Sequence, residues 1–426
     1  MAVMRIGLFT DSYRPAITGI TYVVDITRKH LEDLGHEVFI FCASDGLRPD
    51  KSDDHVIYFR SVSDVFYDDY GLALFFPARE LVKIKKLNLD VIQFFTPGQV
   101  GLMGIYAAQK TGAVLIGSNN TDLANYIQHY PGVVPGLLVL ALTFPVTFKF
   151  KGKDVRELLK IYRPRRVMSK WGKDIVESLV SMIYNRCDAV LALSPKSQQQ
   201  LEAWQTRYGY EFNIKLLPTG IDAFEKPTKA QLEAFRRTYD IAESDEVAIY
   251  VGRLAAEKNL SMLIPVIRRV LKTRPKARLL FVGDFEYREA LEQQAAKSGV
   301  GDRITFTGAL PRETLGVAYA AGDVFVFPSL TDTQGLVLNE AAHAGLPFVI
   351  TDPTVTLVVK DKKNGLVARN TVVDFANKLT TLLKSPATRE KYGLESKRLA
   401  SEYTEFLQTK RLEDIYKAAL DGPSSL

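Results

Sequence analysis

Two carboxylates in the stretch LTDTQGLVLNEAAHAGLP, residues 330–347, have a spacing that suits the binding of two separate groups of hydroxyls. Asp332 follows the apolar run DVFVFPSL, and Glu340 comes eight residues later in a short predicted helix. Eight helical residues rise about 12 Å, which is too far for one metal ion or a shared proton. Carboxylates accept hydrogen bonds from vicinal hydroxyls, and the N–H groups near Gly335 and Leu336 suit an anion. The alternative is a solvated acid followed by an acid that stabilises the helix dipole.

Two cations follow another apolar run, in YVGRLAAEKNL, residues 250–260. Arg253 and Lys258 are five residues apart and bracket a turn after a predicted strand. Together they can neutralise a diphosphate leaving group, whereas the alternative is a surface ion pair with Glu257. The two acids and two cations suit a ligand in which a pyrophosphate joins two hydroxyl-rich groups.

A third candidate is the loop in DSYRPAITGITYVVDI, residues 11–26. Pro15 and Gly19 lie between the first predicted strand and a helix, and glycine lets the backbone approach a phosphate closely. The spacing is not G-x-G-x-x-G, so a dinucleotide-binding fingerprint is not supported.

Short apolar runs alternate with helical patterns in both halves of the chain, which predicts an α/β fold with doubly wound parallel sheets. Runs such as EVFIFCA and ARLLFVGD lack polar alternation, as strands buried on both faces do. Ligands of such sheets bind at the carboxyl ends of the strands, where all three motifs fall. The two series predict two Rossmann-like domains with a boundary near 216–227, and 401–420 has the pattern of an amphipathic helix.

The composition is that of a globular protein with more than one domain. The chain has 426 residues, 46% of them hydrophobic and 24% charged, which excludes disordered and collagen-like classes. Cys42 and Cys187 lie in apolar runs and are predicted to be buried thiols. We find no signal-peptide pattern and no apolar run of membrane-spanning length.

Positive charge is concentrated in one segment. Residues 149–173 hold ten Lys/Arg and two acids, a net +8, whereas the whole chain carries +6, so the remaining residues sum to −2. The preceding residues 131–148 are apolar and uncharged, and 131–173 together predict an interfacial membrane anchor that meets anionic lipid. The alternatives are a loop packed on the core beside a solvated basic helix, and a nucleic-acid patch. The predicted membrane-binding residues are Lys149, Lys151, Lys153, Arg156, Lys160, Arg163, Arg165, Arg166, Lys170 and Trp171.

Together these motifs resemble the retaining GT-B glycosyltransferases of glycosyltransferase family 4, over nearly the whole chain. Asp332 to Glu340 resembles the E-x7-E element of that family, with aspartate in the first place, and Arg253 and Lys258 resemble its Arg/Lys pair. The stretches LPTGID and ITFTGALPR and the loop at Gly19 also follow in the family's order.

The resemblance implies two Rossmann-like domains that face each other across a cleft, with the nucleotide sugar mostly on the C-terminal one. It implies that Glu340 holds the ribose, Asp332 meets the donor sugar, and Arg253 and Lys258 hold the pyrophosphate. It also implies attack of the acceptor on the leaving-group face, with no protein nucleophile, no metal and no cofactor beyond the nucleotide-sugar substrate. The predicted donor-binding residues are Gly19, Arg253, Lys258, Phe306, Gly308, Leu310, Asp332, Gly335, Leu336 and Glu340.

The sequence departs from the family in its N-terminal half. The family usually carries a histidine where LIGSNNTDLANY has Asn120, and an H-x-H element where QFFTP has Gln93 and Phe95. Asparagine donates and accepts hydrogen bonds but cannot carry charge, so donor orientation can survive without proton handling. The predicted catalytic residues are Asp332, Arg253, Lys258 and Asn120.

These observations give a functional hypothesis: a hexosyltransferase that moves glucose from UDP-glucose to a membrane lipid such as diacylglycerol. The stretch TDTQGLVLNEA is most similar to the diacylglycerol-type members of the family. The alternatives are a soluble or polysaccharide acceptor, and a nucleotide-sugar-binding homologue weakened at Asn120. The expected partners are a nucleotide sugar, an anionic membrane surface and a lipid acceptor, not nucleic acid.

The predicted domains follow from the same hypothesis. Residues 1–218 would bind the acceptor and the membrane, residues 219–400 would bind the nucleotide sugar, and the helix of 401–426 would pack back on the N-terminal domain. The expected location is cytoplasmic, peripheral on the inner face of the cell membrane.

Overall fold

The computed structural model of the protein describes residues 3–14, 19–44, 53–59, 61–67, 70–73, 77–120, 152, 154, 156 and 168–422. The chain forms two compact units, Met1–Thr219 with Glu405–Leu426, and Gly220–Thr404. Each unit is built on its own parallel sheet with helices packed against it. The predicted α/β class with two Rossmann-like domains is therefore confirmed.

The first unit contains a seven-stranded sheet and a separate two-stranded hairpin. Its strands are β1 (Arg5–Thr10), β2 (Glu37–Ala43), β3 (Val56–Phe59), β4 (Ser61–Tyr67), β5 (Tyr70–Ala73), β6 (Val91–Phe94), β7 (Val114–Ser118), β8 (Ala189–Ala192) and β9 (Ile214–Leu216). The large sheet has the order β3-β2-β1-β6-β7-β8-β9 with parallel pairing throughout, and β4 pairs with β5 antiparallel. The described helices are α1 (Gly19–Asp33), α2 (Pro77–Lys86), α3 (Gln99–Thr111), α4 (Met168–Tyr184) and α5 (Pro195–Tyr208).

Uninterrupted apolar runs bury both faces of this sheet, because successive side chains of a strand point to opposite sides. Phe9 and Phe41 stack on one face with ring centroids 4.2 Å apart. Leu8 and Cys42 belong to the cluster on the other face. Cys42 and Cys187 are free and buried, as the sequence predicts, and burial raises the pKa of both thiols.

The second unit has a six-stranded parallel sheet in the order β12-β11-β10-β13-β14-β15. Its strands are β10 (Glu246–Val251), β11 (Ala277–Val282), β12 (Ile304–Phe306), β13 (Val324–Phe327), β14 (Phe348–Ile350) and β15 (Gly365–Val367). Its helices are α6 (Lys229–Thr238), α7 (Leu263–Val270), α8 (Arg288–Lys297), α9 (Arg312–Ala320), α10 (Leu336–Ala344), α11 (Val372–Lys384) and α12 (Pro386–Ala400). From β10 the chain builds outward to β12 on one side and to β15 on the other. The carboxyl ends of β10 and β13 therefore form the topological switch point, where such sheets bind ligands.

The last helix, α13 (Glu405–Asp421), belongs to the first unit and packs on α1. Its Tyr416 is fully buried and donates a hydrogen bond to the Gln93 side chain on β6. The Met4 N–H donates to Nδ1 of His36 at 3.2 Å, so the ring proton lies on Nε2 and is donated to Glu413 at 2.9 Å. These buried contacts attach α13 to β6 and to the residue before β2.

Candidate functional site

The loops that follow β10 and β13 bring three of the predicted residues together. Arg253 and Lys258 lie after β10, and Asp332 lies after β13, its neighbour in the sheet. Nζ of Lys258 is 2.7 Å from Oδ1 of Asp332, and the side chains are 13% and 16% exposed. Parallel strands end at the same edge of a sheet, which is why residues so distant in sequence meet here.

Asp332 has one paired and one unpaired carboxylate oxygen. Its Oδ1 is held by Lys258, whereas its Oδ2 is buried and has no hydrogen-bond partner among the described residues. A buried acceptor without a partner costs free energy that a donor group from water or a ligand recovers. Asp332 is therefore suited to accept a hydrogen bond from a hydroxyl.

Arg253 offers the exposed cation of the site. Its side chain is 51% exposed, and its guanidinium lies 4.8 Å from the centroid of the Phe285 ring. Nη2 of Arg253 is also 3.6 Å from Oε1 of Glu257, so the ion pair considered as the alternative is present. The pair is loose at 3.6 Å and its arginine end is half exposed, so it contributes little and leaves the guanidinium able to bind an anion. The buried Tyr250 hydroxyl donates to the carbonyl of Arg253 at 3.1 Å and fixes the backbone below it.

Glu340 is buried in α10 between two donors. Nη1 of Arg312 lies 2.9 Å from Oε1, and the Tyr319 hydroxyl donates to Oε2 at 2.7 Å. Burial raises the pKa of Tyr319, so this hydroxyl keeps its proton and remains a donor. A carboxylate oxygen has two lone pairs, so each can accept a second hydrogen bond. Glu340 is thus oriented by its partners and able to accept further hydrogen bonds from a diol.

The backbone segments that follow β10, β11 and β12 approach one another unusually closely. The Gly283 N–H donates to the Gly308 carbonyl at 3.0 Å, and both glycines have a positive φ. A Cβ on Gly283 would lie 2.0 Å from the carbonyl oxygen of Gly252. Phe306, one of the predicted donor-binding residues, ends β12, and its ring stacks on Phe281 at 5.0 Å. Glycine at position 283 is required because the loops after these strands touch.

Gly335 and Leu336, predicted to face an anion, mark the start of α10, which has no side-chain N-cap among the described residues. The Gly335 N–H points at the Val355 carbonyl at 3.4 Å, and the Leu336 N–H points at the Gln334 carbonyl at 3.2 Å. Both bonds are long for amide hydrogen bonds. An anion at this helix start would compete with these two carbonyls.

The first unit holds the other predicted residues. Asn120 follows β7, and its Oδ1 is buried with no partner in the part of the chain that the structure describes. Gln93 is fully enclosed, donating to Ser118 at 2.8 Å and accepting from Tyr416. Gly19 is the exposed first residue of α1. Gln93 therefore supports the end of β7, two residues before Asn120.

The structure adds residues that the motifs did not reveal. Arg312 and Tyr319 lie seven positions apart on α9, a helical spacing that places them on one face, but this spacing does not link them to Glu340. Asp11, after β1, accepts from the Val100 N–H at the start of α3 and from the Thr96 hydroxyl, each at 2.8 Å. Burial raises the pKa of Asp11.

Most of the predicted membrane-binding residues lie outside the described residues, namely Lys149, Lys151, Lys153, Lys160, Arg163, Arg165 and Arg166. Arg156 is described and exposed, and Lys170 and Trp171 fall in α4. Asp154, two residues before Arg156 in sequence, is buried and pairs with Arg186 at 2.8 Å. Among the described helices, none is both long and apolar enough to cross a bilayer.

Two family models together match most of the chain. Residues 17–223 match the model described as Glycosyltransferase Family 4, and residues 232–399 match the model described as Glycosyl transferases group 1. An alpha-monoglucosyldiacylglycerol synthase of Acholeplasma laidlawii is 24% identical over 425 residues, which is 98% of both chains. A protein of the same name from Streptococcus pneumoniae is 27% identical over 367 residues, 85% of this chain and 74% of that one.

Solved structures share the fold. Anabaena Alr3699/HepE in complex with UDP-glucose superposes with a TM-score of 0.67 at 16% identity, covering 97% of this chain and 100% of that one. The two family regions correspond to the two units seen here. The chain belongs to the GT-B glycosyltransferases, with a family 4 region followed by a group 1 region.

Proposed function

We propose that the protein is a retaining, membrane-associated hexosyltransferase that moves glucose from UDP-glucose to a lipid acceptor such as diacylglycerol. The observation that carries the proposal is the convergence of Arg253, Lys258 and Asp332 at the ends of two adjacent strands. A cation pair and a carboxylate with one open oxygen are the groups that a pyrophosphate next to a sugar requires.

Each part of the donor has a partner in the second unit under this proposal. Arg253 and Lys258 hold the pyrophosphate, and the open Oδ2 of Asp332 accepts from a sugar hydroxyl. Glu340, oriented by its two donors, accepts from the ribose hydroxyls. The base lies against Phe306 and the backbone of 308–310. Pre-oriented groups of this kind stabilise charge without reorganising during the reaction.

The proposed transfer is a substitution at the anomeric carbon with retained configuration. The acceptor oxygen forms its bond on the face from which the phosphate oxygen departs, and the bonding pair leaves with UDP. The acceptor's proton passes to a phosphate oxygen of the leaving group, so no protein nucleophile is needed. Negative charge grows on the departing phosphate, where Arg253 and Lys258 neutralise it without a divalent metal.

The choice of sugar and acceptor is supported by the similarity of this chain to known proteins, and the location is supported by its basic segment. Two relatives across most of the chain are named alpha-monoglucosyldiacylglycerol synthase, and a structural neighbour holds UDP-glucose. An α-linked product made from an α-linked nucleotide sugar corresponds to retention. The +8 segment at 149–173 suits an anionic membrane, and we place the protein peripherally on the inner face of the cell membrane.

The test is transfer from labelled donors to lipid. The protein is incubated with UDP-glucose, UDP-galactose or GDP-mannose and with vesicles of diacylglycerol and phosphatidylglycerol, and products are identified by mass spectrometry and anomeric NMR. We expect an α-glucosyl lipid from UDP-glucose and none with Arg253→Ala. A β-linked product would overturn retention, and product only with added sugars or polysaccharide would replace the lipid acceptor with a soluble one.

One observation favours a second candidate, a nucleotide-sugar-binding protein with little turnover. Asn120 stands where the family usually has histidine, and its amide cannot take up a proton. Calorimetric binding of UDP-glucose without release of UDP over hours would support this candidate. Turnover in the same sample would exclude it.

A further inference from the structure

We infer that Phe285 is a positioning residue for the donor pyrophosphate. Its ring holds the Arg253 guanidinium in place, and its strained backbone places the ring. Phe285 follows β11 in the loop Gly283–Phe285, and its side chain is partly exposed. Its φ is 155°, which L-residues rarely adopt. The inference rests on the proposed function, because it assigns the arginine to the donor.

Three positive-φ residues cluster where β10 and β11 end. Gly252 has φ 141° and Gly283 has φ 139°, and both are glycines, for which such values carry no side-chain penalty. Phe285 is the third, and it alone of these three carries a side chain. A bulky residue in a conformation that favours glycine points to a use for its ring.

The contact that the ring makes is with Arg253. The guanidinium carbon lies 4.8 Å from the ring centroid, within the range of a cation–π interaction. Arg253 is half exposed, and its other partner, Glu257, is 3.6 Å away. Without the ring, the guanidinium would be free to turn toward Glu257 and away from an anion.

The two loops are joined on both sides of this contact. The Leu254 N–H donates to the Asp284 carbonyl, and the Tyr287 N–H donates to the Leu254 carbonyl, each at 3.0 Å. The Phe285 N–H is taken by the Asp284 side chain at 2.9 Å. The strained residue is thus held by its neighbours, and ring and guanidinium keep a fixed relation. A pre-positioned cation binds a pyrophosphate without first losing side-chain freedom.

The experiment compares Phe285→Ala with Phe285→Gly, because both remove the ring but only glycine relieves the backbone. We expect Phe285→Gly to melt about 2–4 °C above Phe285→Ala, the reverse of the usual order of the two residues. Both should bind UDP about 3- to 30-fold more weakly than wild type, measured by calorimetry. Phe285→Tyr keeps the ring and should retain wild-type affinity. If Phe285 had only a structural role, the loss of UDP affinity in Phe285→Ala and Phe285→Gly would follow their loss of stability. We expect instead that the two variants lose affinity alike although their melting temperatures differ.

A double-mutant cycle with Arg253→Ala isolates the contact. If Phe285 acts through Arg253, the double variant Arg253→Ala/Phe285→Ala should bind UDP no more weakly than Arg253→Ala alone. Full affinity in Phe285→Ala, with affinity lost in Arg253→Ala, would overturn the inference and leave the proposed function standing. Wild-type affinity in Arg253→Ala, or a wild-type chain that binds none of UDP, GDP and ADP, would overturn both.

Discussion

Lys258 and Asp332 form an ion pair at 2.7 Å although 74 residues separate them in sequence. The pair joins the loop after β10 to the loop after β13. The positive charge of Lys258 and the negative charge of Asp332 balance each other within the candidate site. A phosphate that binds Lys258 must share its charge with Asp332, and a sugar hydroxyl that binds Asp332 uses the remaining oxygen. Under the proposed function, the pair therefore couples the group that holds the pyrophosphate to the group that holds the sugar.

Replacing Asp332 with asparagine should separate nucleotide binding from transfer. The amide keeps the shape but frees Lys258 to bind phosphate, so UDP should bind as tightly as to wild type or up to about fivefold more tightly. Transfer from UDP-glucose should fall at least about tenfold, because charge-assisted bonds to the sugar are lost. Calorimetry and product formation measure the two effects. Asp302→Asn, an exposed acid at the opposite edge of the sheet, is the control and should change neither.

Replacing Glu340 with glutamine should weaken nucleotide binding. The change removes the charge that Arg312 and Tyr319 orient, and each charge-assisted hydrogen bond contributes about 1.5–3 kcal/mol, or roughly 10- to 150-fold in affinity. The affinity for UDP, measured by calorimetry, gives the answer. Glu313→Gln changes an exposed acid on the same helix as Arg312 and should bind UDP normally. Equal affinities of the two variants would contradict the ribose assignment.

Strands buried on both faces could be predicted from the sequence, because their apolar runs are continuous. The exceptions are short or weakly apolar. The three residues of β9 are only partly buried or exposed, and β15 begins at a glycine and is three residues long. The hairpin of β4 and β5 contains Ser61 and Asp64 and lacks an apolar run. Their pairing is decided by neighbouring strands, which a local pattern does not contain.

The candidate site divides in the same way. The positions of Arg253, Lys258 and Asp332 in the loops after β10 and β13 were predictable, because the apolar runs mark where these strands end, and parallel strands bind ligands at their carboxyl ends. The partners of Glu340 were not, since Arg312 and Tyr319 lie 28 and 21 residues away and reach it only through packing. The positive φ of Phe285 is likewise set by the loops around it, so it could not be predicted from the neighbouring residues in the sequence.

Removal of divalent metals should leave transfer intact. The proposal assigns the leaving-group charge to Arg253 and Lys258, so activity in excess EDTA should stay within about twofold of the untreated protein. The measurement is the initial rate with UDP-glucose before and after chelation. Loss of activity in EDTA that added Mg²⁺ or Mn²⁺ restores would contradict this assignment.

The docking of α13 should weaken in acid through Glu413. Burial acts to raise the pKa of this carboxyl, but hydrogen bonds from Lys417 and His36 outweigh it, and the pKa lies below the ordinary 4.5. A lowered folded-state pKa means that the unfolded state binds the proton more strongly. The contribution to stability is therefore present above about pH 4.5 and is lost as the pH falls through the folded-state value.

The check on this acid sensitivity is the melting temperature between about pH 3 and pH 6. Glu413→Gln should be less stable than wild type near pH 6 and should approach it below about pH 4, because the wild type then loses the same charge. Glu211→Gln, an exposed residue of the first unit, should track the wild type across the range. A constant difference between Glu413→Gln and wild type would rule out this titration.

Membrane binding should depend on the basic segment. Replacing Arg163, Arg165 and Arg166 with glutamine removes three of the ten cations in 149–173, residues that lie outside the described part of the chain. At about 1 kcal/mol for each charge, binding to vesicles with phosphatidylglycerol should fall roughly 100-fold. Flotation at several salt concentrations measures it, and the wild-type protein should be released as salt rises.

The matched control for membrane binding is a variant with the same charge change elsewhere. Lys360, Lys362 and Lys363 are exposed in the second unit, and replacing all three with glutamine lowers the net charge equally. If binding follows the position of the charge, this variant should float with the vesicles as the wild type does. If it follows net charge alone, both triple variants lose binding together, and the basic segment is then not the anchor. Transfer to a short-chain, water-soluble diacylglycerol should persist in both, because neither change touches the donor groups on the second sheet.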